Sequence, residues 1–359
     1  MLYICPKTIR LNLRFVSRSH ALMTVLASVV AALVCADFAR ATDLYASDVT
    51  LAAVLKIGPN GIPTTFAPLS NPKGLALDRA GNLYVADVTT QTVYKFTPAG
   101  VRSIFSPGFA NPTGLAFDSS GNLFVSDIGT NLIIKITPSG AQSTFASGLN
   151  RPADLAFNHT GDLFEIDRNS GMIIKFTPAG VPSTFATGLN LPAGIAFDSV
   201  NNLFVVEQGT NLVFKYATNG TRQTFATITS TDTPVRLTID TADNVYLSVI
   251  LGAGGTSVYK YSPAGGAPST VFTNATDSIG FIALGQPLQF TAISRNGLGP
   301  VVVEGTGAPS VTYSLKATSD LTQPFTFITS ATADNAGNLS FSDVNAGNFT
   351  QRFYRISFP

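Results

Sequence analysis

No tryptophan occurs anywhere in the chain, and its only cysteines, Cys5 and Cys35, lie within the first 41 residues. Aromatic core mass must therefore come from phenylalanine, which is abundant at 26 residues. A chain that has lost those first residues has no disulfide, no thiol nucleophile and no thiolate metal site. It also keeps a single histidine, His159, so no Ser-His-Asp set can be assembled around it with any assurance. Charge is sparse, with only 12% of residues Asp, Glu, Lys or Arg.

The N-terminal stretch reads as a secretory signal. Lys7, Arg10, Arg14 and Arg18 form a basic lead, and Ala21 to Ala36 is an uncharged apolar run. Ala39-Arg40-Ala41 supplies small residues where a signal peptidase reads them, which places cleavage after Ala41. The other reading is an uncleaved anchor, but the run falls short of the ~20 residues that span a bilayer. Val34 before Cys35 makes a poor lipoprotein site. Removal of residues 1–41 takes five basic residues and Asp37 from totals of 22 and 21, leaving 17 against 20 and a net charge of −3. With no basic block, nucleic acid is not expected as a partner.

The rest of the chain is organised by a repeat. In Asn111–Asn150, four short runs rich in β-branched and aromatic residues (GLAF, LFVSD, LIIKI, STFA) are separated by turn residues (DSSGN, IGTN, TPSG). That is the signature of a four-stranded antiparallel meander. The unit recurs every 40 residues as Asn71–Ala110, Asn111–Asn150, Arg151–Asn190 and Leu191–Ser230. A fifth copy, Thr231 to about Ala275, carries small insertions. Ahead of them, LYASD (44–48), AVLKI (53–57) and TTFA (64–67) match the last three strands of a unit whose first is missing. Ser278–Leu284 has first-strand character and no meander of its own, so pairing it with 44–67 closes a ring. Lys56, Lys95, Lys135, Lys175, Lys215 and Lys260 recur once per unit in the third strand and count six blades independently.

The phrase P-x-G-L-A-F-D-x-x-G-N-L-F-V-x-D followed by I-x-K-F-x-P-x-G resembles the NHL-repeat family of six-bladed β-propellers. It is also similar to the wider group of SMP-30/gluconolactonase and streptogramin-lyase-like proteins. The expected fold is all-β: a six-bladed β-propeller over 42–285, closed by its terminal strands, then a small β-sandwich over 286–359. In that last segment six alternating runs replace the repeat. Phrases there such as Tyr313-Ser314-Leu315 and Arg352-Phe353-Tyr354-Arg355 resemble C-terminal modules of secreted bacterial proteins, which implies attachment or sorting.

Strand direction sorts the loops. The first-to-second and third-to-fourth turns share one face; the second-to-third loops and the links between blades share the other, at the channel mouth. That mouth carries an acid once per unit, at Asp48, Asp87, Asp127, Asp167 and Glu207, until Val249 breaks the series. Either the acids form a ring that attracts a cation, or each carboxylate binds loop amides; turn chemistry is the simpler reading. On the opposite face the third-strand lysines are positioned to pair with Asp78, Asp118, Asp198 and Asp240.

Departures from the repeat concentrate in one unit. Asp154 and Arg236 stand where Gly74, Gly114 and Gly194 stand elsewhere, and Glu165 replaces Val85, Val125 and Val205. Alternation puts Glu165 and Asp167 on one side of their strand, with Arg168 next. Asp154, Glu165, Asp167, Arg168 and Arg236 are thus the candidate ligand site. Its carboxylates suit a divalent metal or a base of raised pKa, or else a salt-bridged cluster filling a gap between blades. The resemblance implies a metal held in gluconolactonase-like relatives by Glu, Asn and Asp, the last two just before the first-strand glycine. Here that position holds Lys73, Thr113, Ala153, Ala193 and Val235, of which only Thr113 has a ligand-type oxygen.

These features lead to a secreted, periplasmic or surface-exposed binding protein that uses its channel-mouth face. Its ligand would be a protein, a small molecule or a carbohydrate; no catalytic residue, cofactor or membrane span in the mature chain is expected, and a monomer is. The alternatives are a metal-dependent lactonase or hydrolase of the SMP-30/gluconolactonase type, using Ca or Zn, and a structural surface scaffold.

Overall fold

In a computed structural model of the protein, each 40-residue unit forms one antiparallel four-stranded sheet. The structure describes residues 43–58, 61–274, 279–285, 289–295, 301–306, 312–318, 326–332, 338–345 and 353–357. The basic lead, the apolar run and the cleavage motif lie outside them. Among the described residues, no helix is long and apolar enough to cross a membrane.

Blade 1 holds β1 (Leu44–Asp48), β2 (Ala53–Ile57) and β3 (Pro63–Pro68). Blade 2 is β4 to β7 (Pro72–Leu77, Leu83–Asp87, Thr92–Phe96, Arg102–Pro107) and blade 3 is β8 to β11 (Pro112–Phe117, Leu123–Asp127, Leu132–Ile136, Gln142–Ala146). Blade 4 is β12 to β15 (Pro152–Phe157, Leu163–Asp167, Met172–Phe176, Pro182–Ala186), and blade 5 is β16 to β19 (Pro192–Phe197, Leu203–Glu207, Leu212–Tyr216, Arg222–Thr227). Blade 6 is β20 to β23 (Thr233–Ile239, Val245–Ile250, Thr256–Ser262, Gly265–Asn274). The last strand of the propeller, β24 (Ile279–Leu284), pairs antiparallel with β1, Leu44 opposite Leu284, and completes blade 1. Six blades therefore close through the pairing that the sequence implies, leaving no whole sheet face uncovered.

The first strand of each blade lies against the first strands of its neighbours, forming an inner ring around the channel. Each is bulged near its mouth end: register shifts fall between Pro72 and Leu75, Pro112 and Leu115, Pro152 and Leu155, Pro192 and Gly194, and Pro234 and Arg236. A bulge re-aims side chains and leaves an amide off the ladder. In blades 1, 3 and 6 a second-strand serine accepts that amide: Ser47 from Phe281, Ser126 from Gly114 and Ser248 from Arg236. Ser126 and Ser248 then donate to the next blade, at the carbonyls of Ala153 and Gly280.

With no tryptophan, phenylalanine fills the seams. Phe145 meets Phe124 of its own blade edge-to-face, ring centroids 4.9 Å apart, and Phe176 of the next at 5.7 Å. Phe66, Phe185 and Phe225 make the same two contacts in their blades. Such pairs add about 0.5–1.5 kcal/mol each beyond the area they bury. Each third-strand lysine lies over the aromatic residue directly across from it on the second strand, as Lys215 does over Phe204 at 4.9 Å. Ion pairs with the facing turn form at Lys175–Asp162, Lys215–Asp198 and Lys260–Asp240, but among the described residues not at Asp78 or Asp118. There the lysine rests on its ring alone, over Tyr84 or Phe124, and the aspartates bind Asn82 and Asn122.

Beyond Gly285 the chain forms a separate unit. Its six strands make two three-stranded antiparallel sheets. One is β25 (Gln289–Arg295), β26 (Val301–Thr306) and β29 (Asn338–Asp343); the other is β28 (Thr326–Thr332), β27 (Thr312–Thr318) and β30 (Phe353–Ser357). Strand β29 alternates exposed and buried residues, as a sheet with one covered face requires.

The inner ring leaves no room for a side chain at two of its bulges, Gly74 and Gly114. A β-carbon on Gly114 would lie 2.3 Å from the Ala153 carbonyl oxygen. Gly114→Ala is expected to destabilise the propeller by about 1–3 kcal/mol or more, as overpacking does, read as a lowered urea midpoint with unchanged m-value.

Candidate functional site

Asp154 sits at a bulge of β12 with its carboxylate turned along the ring rather than into solvent. Its Oδ2 accepts the backbone N–H of Ile195 in the next blade at 3.0 Å. The same oxygen lies 3.8 Å from Nε of Arg236, two blades away in β20. The pair spans blade 5 because Gly194 stands between: a β-carbon there would come within 3.2 Å of the Arg236 Cδ. Both partners are buried, at 8% and 7% exposure. Burial raises the Asp154 pKa and lowers that of Arg236, while each partner's charge opposes the shift of the other.

Arg236 is held on its other sides by apolar and backbone contacts. Its guanidinium carbon lies 4.1 Å from the Phe281 ring centroid on β24, a close cation–π contact. Nη1 folds back to the Val235 carbonyl at 3.0 Å. Nε makes no hydrogen bond, since 3.8 Å to Asp154 is an ion-pair distance and too long for one.

A second chain of contacts runs around the mouth. Arg168 follows the acid that ends β13; its Nη2 donates to Gln208 Oε1 at 2.5 Å and its Nη1 to the Pro192 carbonyl at 3.3 Å. Gln208, at the matching position of blade 5, donates to the Pro234 carbonyl at 3.1 Å. Burial, then the charge of Arg151, lowers the pKa of Arg168. The candidate residues Asp154, Arg168 and Arg236 are thus brought together along three consecutive blades. Lys73, on β4, joins them. Burial and then Arg236 lower its pKa, and β4 packs directly against β24, which carries Phe281.

Glu165 and Asp167 are placed elsewhere. They do share one face of β13, as alternation requires, but that face is the seam toward blade 3. Leu163 on the same face packs with Phe124, Ile133 and Leu149 of that blade. The valines matching Glu165 fill the equivalent seams. Glu165 is fully buried and neither carboxyl oxygen has a partner. Burial, reinforced by the charge of Asp167, raises its pKa well above the ordinary 4.5. Asp167 accepts the N–H of Asn150 at 2.7 Å and the Ser170 hydroxyl at 2.7 Å.

The rest of the acidic series binds loop amides. Asp87 accepts from Ser70 and Thr90, Asp127 from Ala110, Asn111 and Gly129, and Asp48 from Thr50 and Leu51. Glu207 accepts from Asn190 and the Thr210 hydroxyl. In blade 6, where Val249 breaks the series, Asp232 accepts from Gly252 instead. Among the described residues no three acid, histidine or cysteine side chains converge as a metal would need. The donor set does not fit a divalent cation. Its one inward carboxylate already faces a guanidinium, and the other acids are engaged by amides or sealed in a seam.

His159 lies on the far face, exposed, its backbone N–H donating to Asn201 Oδ1 at 2.8 Å. Beside it is a cleft of about 250 Å³ between blades 4 and 5, lined by Asn158, Asp162, Lys175, Asn201 and Tyr216 among others. Sequence reasoning missed it. The available signal was an exchange of residue types: Asn158 and Asp162 reverse the Asp…Asn order of Asp118 and Asn122.

No protein-family profile matches the chain, and no curated protein matches it in sequence. Solved structures do match. A chain in the crystal structure of a nidogen/laminin complex is 19% identical, with 68% of this chain and 98% of that one covered and a TM-score of 0.61. Virginiamycin B lyase from Staphylococcus aureus is 16% identical over 73% of this chain and 91% of its own, at a TM-score of 0.50. A gluconolactonase from Xanthomonas campestris is 17% identical over 75% and 93%, at 0.48. At these identities the likeness is one of fold.

Glu165→Val, which restores the residue of the other seams, is expected to stabilise the protein by about 1–3 kcal/mol by removing an unpartnered buried polar group. A raised folded-state pKa means the native protein holds a proton that the unfolded chain releases above 4.5. Its contribution is therefore full below that pH and is lost as pH rises toward the folded-state value. Urea midpoints of the two proteins should diverge as pH rises from about 4.5, the variant lacking the decline.

Proposed function

We propose that this chain is an exported binding protein whose ligand surface is the channel mouth, centred on Asp154, Arg168, Gln208 and Arg236. One observation carries the reading. The repeat prescribes glycine or apolar residues at these places, and only this sector of the described ring replaces them with a connected set of long polar side chains across blades 4 to 6. Fold maintenance does not need them, since blades 2 and 3 close without equivalents.

A binding role suits this chemistry better than the metal-dependent hydrolase alternative. A hydrolase of that kind needs carboxylates free to hold a cation and a base within reach of substrate. Here the acids of the rim are engaged by backbone amides, and Glu165, the carboxyl of most raised pKa, faces an apolar seam. Among the described residues, the donors of the mouth left without a protein acceptor belong to Arg236 and Lys73. Export follows from the N-terminal lead, apolar run and Ala39-Arg40-Ala41, which also accounts for a mature chain free of cysteine.

The expected outcome of a thermal-shift screen of the exported chain against small molecules and oligosaccharides is a saturable stabilisation by at least one class. Arg168→Ala should abolish it, and Lys95→Ala, on the far face, should leave it intact. Turnover of lactones or phosphoesters that rises with added calcium or zinc and is lost in Asp154→Asn would overturn the reading in favour of the hydrolase.

A further inference from the structure

We propose that the channel mouth is an oxyanion site: a carboxylate, phosphate or sulfate group of a small ligand docks on the free edge of the Arg236 guanidinium, with Lys73 and Arg168 as further charges. The inference rests on the binding reading above and names the chemistry of its ligand.

The first support is the charge of the mouth. Arg236 on β20 and Lys73 on β4 stand on the two strands that flank β24, and Arg168 reaches β20 through Gln208, which donates to the Pro234 carbonyl. The only carboxylate turned toward them is Asp154. Asp167, though next to Arg168 in sequence, is bound to the Asn150 amide and the Ser170 hydroxyl. Glu165 is sealed in the seam, where burial raises its pKa and disfavours its charge. Asp154 is therefore the one described carboxylate paired with these cations, while amides and hydroxyls of the loops hold the other rim acids.

The second support is an unfilled valence. Arg236 is 93% buried, yet of its five N–H donors the described protein engages only one nitrogen, Nη1, at the Val235 carbonyl. Nε has no hydrogen bond at all. A buried guanidinium left with open donors is costly, and an oxyanion is the partner whose geometry satisfies a guanidinium edge with two parallel bonds. Phe281 lies 4.1 Å from the guanidinium carbon and Nε is sealed beside Asp154, so the edge that remains for a ligand is that of Nη2. Asp154 anchors Nε from across Gly194, which orients the fork before any ligand arrives. Lys73 makes no ion pair or hydrogen bond among the described residues, and its half-buried ammonium would gain a counter-charge from the same ligand.

Inorganic phosphate and sulfate are the probes, titrated by calorimetry and thermal shift into the exported chain at constant ionic strength. The expected result is saturable binding that Lys73→Met weakens about tenfold, the loss of one charge-assisted contact. The double variant Asp154→Leu/Arg236→Met, which removes the buried pair together and leaves no orphaned charge, should abolish it. No saturable binding of either anion, or equal affinity in the wild type and both variants, which would mean an adventitious ion only, overturns the inference. A neutral ligand that still requires Arg168 while both anions fail sinks the oxyanion inference alone. Failure of every ligand class sinks the binding reading with it.

Discussion

Neighbouring first strands approach one another around the channel until backbone meets backbone. At Gly74 a β-carbon would stand 2.0 Å from the Thr113 carbonyl oxygen, and at Gly114 it would stand 2.3 Å from that of Ala153. This approach lets Ser126 and Ser248 stitch one blade to the next, and it accompanies phenylalanine seams in which Phe145 reaches both Phe124 and Phe176. It also explains why Asp154 and Arg236 carry weight. They stand at positions where the frame leaves no room, and they fit because each extends along the ring over Gly194. A charged pair stands where the repeat has glycine, in a wall that excludes a side chain at Gly74 and Gly114.

Much of the propeller was legible in the sequence because its information is local and repeated. Spacing of 40 residues, turn residues at fixed offsets and one lysine per unit gave the blades. The incomplete unit at 44–67 and the orphan strand near 279–284 pointed to each other, and β1 does pair with β24. For the segment after Gly285, six runs were readable as strands; they form two three-stranded sheets.

The candidate site was legible in part. A departure from a repeat marks a position, so Asp154, Glu165 and Arg236 were visible without any structure. Where each side chain points was not. Glu165 and Asp167 share a face, but alternation alone does not say that this face is the seam with blade 3. The bulges turn Asp154 off the regular alternation, which no pattern of periodicity 2 encodes. Gln208 departs from the apolar residue of the repeat as Arg168 does, but its part, like that of Lys73, comes from neighbours in other blades that the repeat does not show. Among the described residues the lysine–aspartate pairs at Asp78 and Asp118 do not form, although the lysine lies over its cross-strand ring in every blade, and nothing in the structure explains the difference. At an exposed site such a pair is worth only about 0–1 kcal/mol, so a small preference decides.

At the mouth of this propeller backbone amides hold the ring acids, while the cation of Arg236 is met by a carboxylate from two blades away. That arrangement depends on Asp154 and Arg236 acting as one buried unit. A double-mutant cycle on the urea stability of Asp154→Ala, Arg236→Met and the combined variant measures it directly. Each single change should destabilise by about 3 kcal/mol, since each leaves a buried charge without its partner. The double variant should fall short of their sum by about 1–3 kcal/mol. Single effects that add to within about 0.5 kcal/mol would show two independent residues and contradict the account.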